Sequence, residues 1–282
     1  MVEYSDQGTL HDLVKVARQR KRDTMGPLDK LKIAIHIASA VTDLHEVAGA
    51  THGDLCMNQY LFVGGVYKLN DFHMSEFVRQ DDNDRTCFDS VGFARGVSFF
   101  CYRGQLFVGP LYLAFISHVA TLVLQCASVH APEERDWKDV DLQKADVYMM
   151  GNVMYYVYTK NFLYEGIPDK DALTLLYNGK RSPFPTGLDT TILANAAVQS
   201  AIQKCWTHDP EQRPTARFIR DSLLKEFSAI VGRPVQPGDD ILMVQIPSLP
   251  KYYRFTDSSS FDTVNDNVKK HDPMRIKYNN EI

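Results

Sequence analysis

The chain has 282 residues, of which 44% are hydrophobic and 23% are charged, and its formal net charge is −4. This composition is typical of a soluble globular protein with one large or two modest domains. Such a weak negative charge argues against binding to nucleic acid or to anionic lipid, so neither is expected as a partner.

The predicted elements begin with an amphipathic helix over residues 29–47, where apolar residues recur at helical spacing. Two short β-prone runs, YLFV and VYKLNDF, follow on either side of Gly64-Gly65, which predicts a β-hairpin.

The run RQDDNDR at 79–85 indicates a polar loop. Helical patterns resume at about 144–158, 169–178, 189–206 and 214–230, and the first of them is apolar nearly all round, which indicates a buried helix. Residues 232–282 mix Pro, Ser, Asn and Asp without a period, which predicts an extended or partly disordered tail. The fold expected is therefore mainly α (α+β), with a small β element beside a cleft.

Six motifs occur in a fixed order along residues 1–230. They are MVEYSDQGTLHDL at 1–13, THGDLCMNQYLF at 51–62, KLNDF at 68–72, HAPEE at 130–134, KADVYMMGNVMYYVYT at 144–159 and CWTHDPEQRPTARFI at 205–219. In this order they resemble the hinge, the HRDLKPEN catalytic loop, the DFG strand, the APE box, the F helix and the segment before the last helix of eukaryotic protein kinases. The resemblance covers the large C-terminal lobe and implies a protein kinase-like domain over residues 1–230.

The resemblance implies a role for each residue that matches a catalytic position. Asp54 matches the base that accepts the proton of the substrate hydroxyl, and Asp71 matches the aspartate that binds Mg²⁺. Gln59 stands where a second metal-binding asparagine belongs. Glu3 and Tyr4 of the hinge, together with Leu61, are expected to contact the nucleotide. The cofactors implied are ATP and Mg²⁺.

The resemblance also implies a structural framework around this loop. Asp146 matches the F-helix aspartate that accepts hydrogen bonds from the catalytic-loop backbone, and His52 begins that loop. Glu133 and Arg213 match an ion pair that joins the APE segment to the last helices. Removing one partner of such a buried pair costs about 3 to 5 kcal/mol.

Several positions depart from the kinase pattern. Gly53 replaces the arginine that pairs with an activation-loop phosphate, so regulation through that phosphate is not expected. Cys56 replaces the lysine that neutralises the transferred phosphate. The Gln59 side chain is longer than that of asparagine, and Asn58 lies one position before the place of the family's metal-binding asparagine. His73 replaces the DFG glycine, which restricts the backbone at that point.

The 282 residues contain no GxGxxG loop and no VAIK lysine, which a kinase uses to hold the nucleotide phosphates. The chain as written is therefore expected to lack the N-terminal β-lobe and to be inactive. Two functions stay open: ATP-dependent phosphorylation of protein hydroxyls, or a pseudokinase or scaffold that binds protein partners without catalysis. Whether serine/threonine or tyrosine is preferred stays open, as do the substrate and the partner.

The run LFVGPLYLAFISHVATLVLQCA at 106–127 has 22 residues and is long enough to span a bilayer. A membrane span there would place Asp71 and Glu133 on opposite sides of a bilayer, although the resemblance puts both in one lobe. Two other interpretations remain: a helical insertion packed on the lobe, or a segment of about 104–130 that arises from a retained intron or gene-model error. Removing 104–130 joins Tyr102-Arg103 to Ala131, which closely resembles the usual family sequence.

The five cysteines lie far apart and form no CxxC pair, which argues against a disulfide framework or a zinc site. The first ten residues lack the basic flank and apolar core of a signal peptide. We therefore expect a cytoplasmic protein.

Overall fold

The computed structural model describes residue 5 and residues 7–19, 25–80, 86–88, 130–135 and 140–246. These residues belong to one compact unit that spans Met1–Leu249. Within them the helices are α1 (Leu10–Gln19), α2 (Pro27–Glu46), α3 (Leu142–Thr159), α4 (Asp169–Tyr177), α5 (Leu193–Cys205) and α6 (Ala216–Val231). The strands are β1 (Ala50–Thr51), β2 (Tyr60–Val63), β3 (Val66–Leu69), β4 (Glu76–Gln80) and β5 (Thr86–Phe88). The prediction of a mainly helical domain with small sheets is confirmed.

The central helix, α2, begins with Pro27 at its first position, where the missing backbone N–H costs no hydrogen bond. It packs against α3, α5 and α6 and against strand β3. Because neighbours surround it, both its apolar residues and several polar ones, such as His36 and Thr42, are buried. The predicted helix at 29–47 is confirmed, with its start two residues earlier.

Helix α3 is buried along almost its whole length, as its all-round apolarity predicts. The Asp141 side chain accepts a hydrogen bond from the Lys144 backbone N–H and caps the first turn. Lys160 ends the helix in the left-handed conformation, with φ 62°.

The last three helices also lie where they are predicted, with small shifts. Helix α5 begins at Leu193 rather than at 189, because the Asp189 carboxylate accepts hydrogen bonds from the backbone N–H and the hydroxyl of Thr191. This local turn competes with a helical start. Thr215 caps α6 through the Phe218 N–H, and Gly232 ends it with φ 71°.

The predicted hairpin is confirmed: β2 and β3 pair antiparallel from Tyr60 opposite Leu69 to Val63 opposite Val66. Gly64 and Gly65 form the two-residue turn, and both have positive φ, as this type of turn requires.

A second, three-stranded sheet was not predicted. Its strand order is β1-β4-β5, and β4 pairs antiparallel with both neighbours. Arg79 and Gln80 lie in β4, so the predicted polar loop starts two residues too early. The end of β4 and the residues after it are polar and do not show the apolar–polar alternation from which strands are predicted.

Helix α1 was also not predicted, because residues 1–13 were interpreted as a hinge. Its residues Leu10, Leu13, Val14 and Ala17 are buried on one face. Ten residues are too few for a stable isolated helix, so contacts with the rest of the domain stabilise α1.

Residues 235–246 correct the predicted tail. Val235, Leu242 and Val244 are buried in the same core as the helices, and Asp240–Leu242 forms a 3₁₀ turn. The packed region therefore continues beyond 232 to residue 246, and residues 247–282 lie outside the described part of the chain. No helix within the described residues is both long and apolar enough to cross a membrane. The apolar run 106–127 lies outside them.

Candidate active site

The loop from His52 to Gln59 connects β1 to β2 and is held by Asp146 of α3. The Asp146 carboxylate accepts the backbone N–H of His52 at 2.7 Å and that of Gly53 at 3.0 Å. Its Oδ2 also accepts Nε2–H of His45 at 2.9 Å. Asp146 is fully buried, so these charge-assisted hydrogen bonds act without competition from water. The position of the loop is thus set by a carboxylate more than ninety residues away in the chain.

His52 ties the loop to the end of strand β3. Its Nδ1 accepts the Asp54 backbone N–H at 3.3 Å, so the ring proton is on Nε2, which lies 3.1 Å from the Asn70 carbonyl oxygen. The Asn70 N–H in turn donates to the Gln59 carbonyl oxygen at 2.8 Å. These bonds connect the segment that carries Asp54 to the residue that precedes Asp71.

Asp54 lies in a largely buried position, and burial raises the pKa of its carboxyl group above the ordinary value. The neighbouring histidines His130, His73 and His52 oppose this rise, whereas the negative charge of Asp71 adds to it. Asp54 and Asp71 are therefore close enough to influence each other, and the structure brings these two residues into one site.

Asp71 has a left-handed backbone conformation, and one oxygen of its carboxylate already accepts a hydrogen bond. Its φ is 64°, a left-handed conformation that side chains other than glycine rarely adopt. Its Oδ1 accepts a hydrogen bond from Nδ1 of His73 at 2.8 Å, and both side chains are about half exposed. His73, at the position of the family's glycine, thus binds one oxygen of the candidate metal ligand.

The other residues predicted for this site differ in how deeply they are buried. Gln59 is buried in a short 3₁₀ turn, Met57–Gln59, whereas Asn58 is exposed. Cys56, a half-buried cysteine, precedes this turn as its N-cap residue. Leu61 is half-buried in β2, opposite Lys68. Glu3 and Tyr4 lie outside the described residues.

The side chains present fit a Mg²⁺ ion bound together with phosphate oxygens. Mg²⁺ prefers oxygen ligands and is commonly held by one or two protein groups plus the phosphates of a nucleotide. Asp71 offers a half-exposed carboxylate, and Gln59 lies at the same, open end of the hairpin, where its carbonyl oxygen accepts the Asn70 N–H at 2.8 Å. Within the described ranges no group of three or more His, Cys, Asp and Glu side chains is arranged for a metal.

Arg213 and Glu133 form the second predicted framework contact. Arg213 Nη1 and Nη2 lie 2.5 and 3.1 Å from the two Glu133 carboxylate oxygens. The guanidinium also donates to the carbonyl oxygens of Lys144 at 2.7 Å and Thr207 at 3.0 Å. Arg213 is 1% exposed, so this cluster joins the 130–135 segment, α3 and the turn before α6 inside the domain.

Comparison with known proteins agrees with this geometry. The family model described as "Protein tyrosine and serine/threonine kinase" matches residues 127–223. The mouse (Mus musculus) tyrosine-protein kinase Srms is 33% identical over 94 residues, which is 33% of this chain and 18% of that protein. The Xenopus laevis serine/threonine-protein kinase mos is 24% identical over 238 residues, or 83% of this chain and 56% of that protein.

The chain is therefore similar to eukaryotic protein kinases, and the family match covers residues 127–223. The chain spans about half, or less, of the length of these two relatives. The family match covers Glu133, Asp146 and Arg213, whereas Asp54 and Asp71 lie before it.

Sequence reasoning missed His45, which adds a third hydrogen bond to the Asp146 carboxylate. No motif or spacing singles out this histidine. Its contact depends on the end of α2 lying beside α3, and only the packing of the two helices brings that about.

Proposed function

We propose that this chain supplies the catalytic lobe of a protein kinase, which transfers the γ-phosphoryl group of ATP to a protein hydroxyl group. The observation that carries the proposal is that Asp54 and Asp71 share one site, on backbone segments that are joined by His52. Base and metal ligand must be near each other in this reaction, since the hydroxyl attacks a phosphate that the metal holds.

In this proposal Asp54 accepts the proton of the attacking hydroxyl. The hydroxyl oxygen forms a bond to the γ-phosphorus, the bond from that phosphorus to the β,γ-bridging oxygen breaks, and ADP leaves. Burial raises the pKa of Asp54, which strengthens it as a base, and the neighbouring histidines oppose that rise. His52 accepts the Asp54 backbone N–H, and Asp146 holds the two residues before it, so together they position the loop that carries this carboxylate.

Asp71 and Gln59 are the proposed Mg²⁺ ligands. These two residues would hold the ion, which would neutralise part of the charge on the nucleotide phosphates. Leu61, with Glu3 and Tyr4, is the proposed contact for the nucleotide base. The relatives are named as a tyrosine kinase and a serine/threonine kinase, so both kinds of hydroxyl are candidate acceptors.

The test is transfer of radiolabelled γ-phosphate from Mg·ATP to generic protein and peptide substrates by the purified chain. We expect Asp54→Asn to reduce transfer by about 10² to 10⁴-fold, the usual contribution of a positioned base. Asp221→Asn is the matched control, because that carboxylate is 54% exposed on α6. Transfer that survives unchanged in Asp54→Asn would overturn the assignment of the base.

A second candidate function is a pseudokinase that binds protein partners without catalysis. Three features favour it: Cys56 stands in place of the lysine, His73 holds one oxygen of Asp71, and Gln59 is buried. Each of them weakens the charge or the metal ligation that phosphoryl transfer needs. A folded chain that transfers no phosphate with any acceptor, with or without Mg²⁺, would support this second function over the first.

A further inference from the structure

The segment after α6 turns back and covers the end of the β2–β3 hairpin. We name residues 235–246 the strap. Its side chains Val235, Leu242 and Val244 are 4%, 2% and 3% exposed, as deeply buried as residues of the helical core. The strap is therefore part of the folded domain and not a loose extension of α6.

Hydrogen bonds to the strap backbone join it to the hairpin turn and to α2. The Val244 N–H donates to the Gly65 carbonyl oxygen at 2.9 Å, and Lys32 Nζ donates to the Met243 carbonyl oxygen at 3.1 Å. The Met243 side chain lies so close to Gly65 that a Cβ added there would be 3.1 Å from it. The strap therefore contacts the hairpin turn through both a backbone hydrogen bond and a side chain.

His36 of α2 lies between the strap and strand β3. Its Nδ1 accepts the Tyr67 backbone N–H at 3.5 Å. Burial lowers the pKa of His36 to about 4, and the Leu242 backbone of the strap opposes that change, so the ring is neutral. Helix α2, strand β3 and the strap therefore meet around one buried imidazole.

The opposite end of the same hairpin carries the candidate metal ligands. Gln59 directly precedes β2, and Asn70 and Asp71 follow β3. The hairpin is only four residue pairs long, so a shift at its turn moves both Gln59 and Asp71. His52, which bonds Asn70, passes the same shift to the Asp54 loop.

We propose that the strap is a positioning element that fixes the β2–β3 hairpin and thereby sets the spacing between Asp54 and the Gln59–Asp71 pair. The effect on Mg·ATP rests on the proposed function, whereas the effect on the hairpin does not. Leu242 and Val244 are positioning residues, since they act on the site through the hairpin.

The first test is amide hydrogen exchange in the full chain carrying Leu242→Ala and Val244→Ala together. We expect exchange at the Tyr67 and Asn70 amides to rise by about tenfold, because the hairpin opens locally when its cover is weakened. Leu223→Ala is the matched control: Leu223 is 1% exposed and lies in α6. It should lower stability without selectively raising exchange in the hairpin. Equal exchange in the double variant and this control would overturn the proposal.

The second test is the affinity for Mg·ATP, measured by calorimetry for the same three proteins. We expect the double variant to bind at least about fivefold more weakly than the wild type, whereas Leu223→Ala binds equally well. Faster hairpin exchange with unchanged Mg·ATP affinity would overturn the link to the site. A wild-type chain that binds no Mg·ATP would refute the proposed function, and exchange at Tyr67 and Asn70 would then decide the role of the strap alone.

Discussion

Arg213→Ala is the most direct test of how this lobe is held together. The substitution leaves the Glu133 carboxylate without its counter-charge and removes donors from the carbonyl oxygens of Lys144 and Thr207. Breaking a buried ion pair by removing one partner costs about 3 to 5 kcal/mol. Glu133 is 15% exposed, so water relieves part of this loss, and we expect about 3 kcal/mol. Since a domain is stable by only about 5 to 15 kcal/mol, the variant would lose a large part of its stability.

Two other variants separate charge from geometry. Arg213→Lys keeps the positive charge, but one ammonium group cannot replace the fork that reaches both Glu133 oxygens, so we expect an intermediate loss. Arg217→Ala removes a different guanidinium, which pairs with Glu46 on the surface and is 57% exposed. Exposed pairs contribute about 0 to 1 kcal/mol, so this variant is the control.

The assay is urea unfolding at pH 7, followed by circular dichroism, for the wild type and the three variants. The expected order of unfolding free energy is wild type, Arg217→Ala, Arg213→Lys and Arg213→Ala, from most to least stable. In a melting experiment, about 2 to 4 °C is lost per kcal/mol for a chain of this size. If Arg213→Ala melts at the wild-type temperature, the buried ion pair has no stabilising role and the reasoning fails.

Three further predictions concern packing, the loop and pH. Gly151→Ala should cost about 1 to 3 kcal/mol, because the new Cβ would lie 2.5 Å from the Cys205 Cβ. Asp146→Asn leaves one oxygen for two backbone N–H groups, so it should destabilise by about 1 to 3 kcal/mol and speed amide exchange at His52 and Gly53. Burial lowers the pKa of His36 from 6.5 to about 4. As the pH falls, this imidazole is therefore protonated in the unfolded chain at a higher pH than in the folded chain. The stability that neutral His36 contributes is complete above pH 6.5 and is lost towards pH 4, with about 2 kcal/mol gone at pH 5 by urea unfolding.

Each of these has its own control. Gly187→Ala should be silent, since no atom lies within 4 Å of a Cβ built there. Asp221→Asn, on the surface of α6, should leave exchange at the loop unchanged. His36→Asn should have a flatter dependence of stability on pH between 5 and 7.5 than the wild type. An identical dependence would show that another group titrates in this range.

The sequence predicts well those elements that depend on interactions between neighbouring residues in the chain. The periodicity of α2 and α3 depends on residues within one turn of each other, and Pro27 and Gly232 mark helix ends through their own backbone properties. The hairpin follows from Gly64-Gly65, because only residues that accept positive φ form that turn. The ion pair of Arg213 with Glu133 was expected from motifs, and the structure brings the two side chains together.

Only the tertiary structure decided the remaining features of the site. His45 lies 101 positions before Asp146, and Lys32 lies 211 positions before Met243, so no local pattern relates them. The strap was predicted as a tail because its composition resembles one, but Leu242 and Val244 are buried by a surface that α2 and the hairpin build together. Side chains this far apart meet only when the helices pack, and that packing maximises apolar burial for the whole domain rather than for any one segment. The sequence therefore determined the periodic helices and the hairpin and suggested candidate site residues, whereas the fold decided helix α1, the three-stranded sheet and the contacts that hold the loop and the strap.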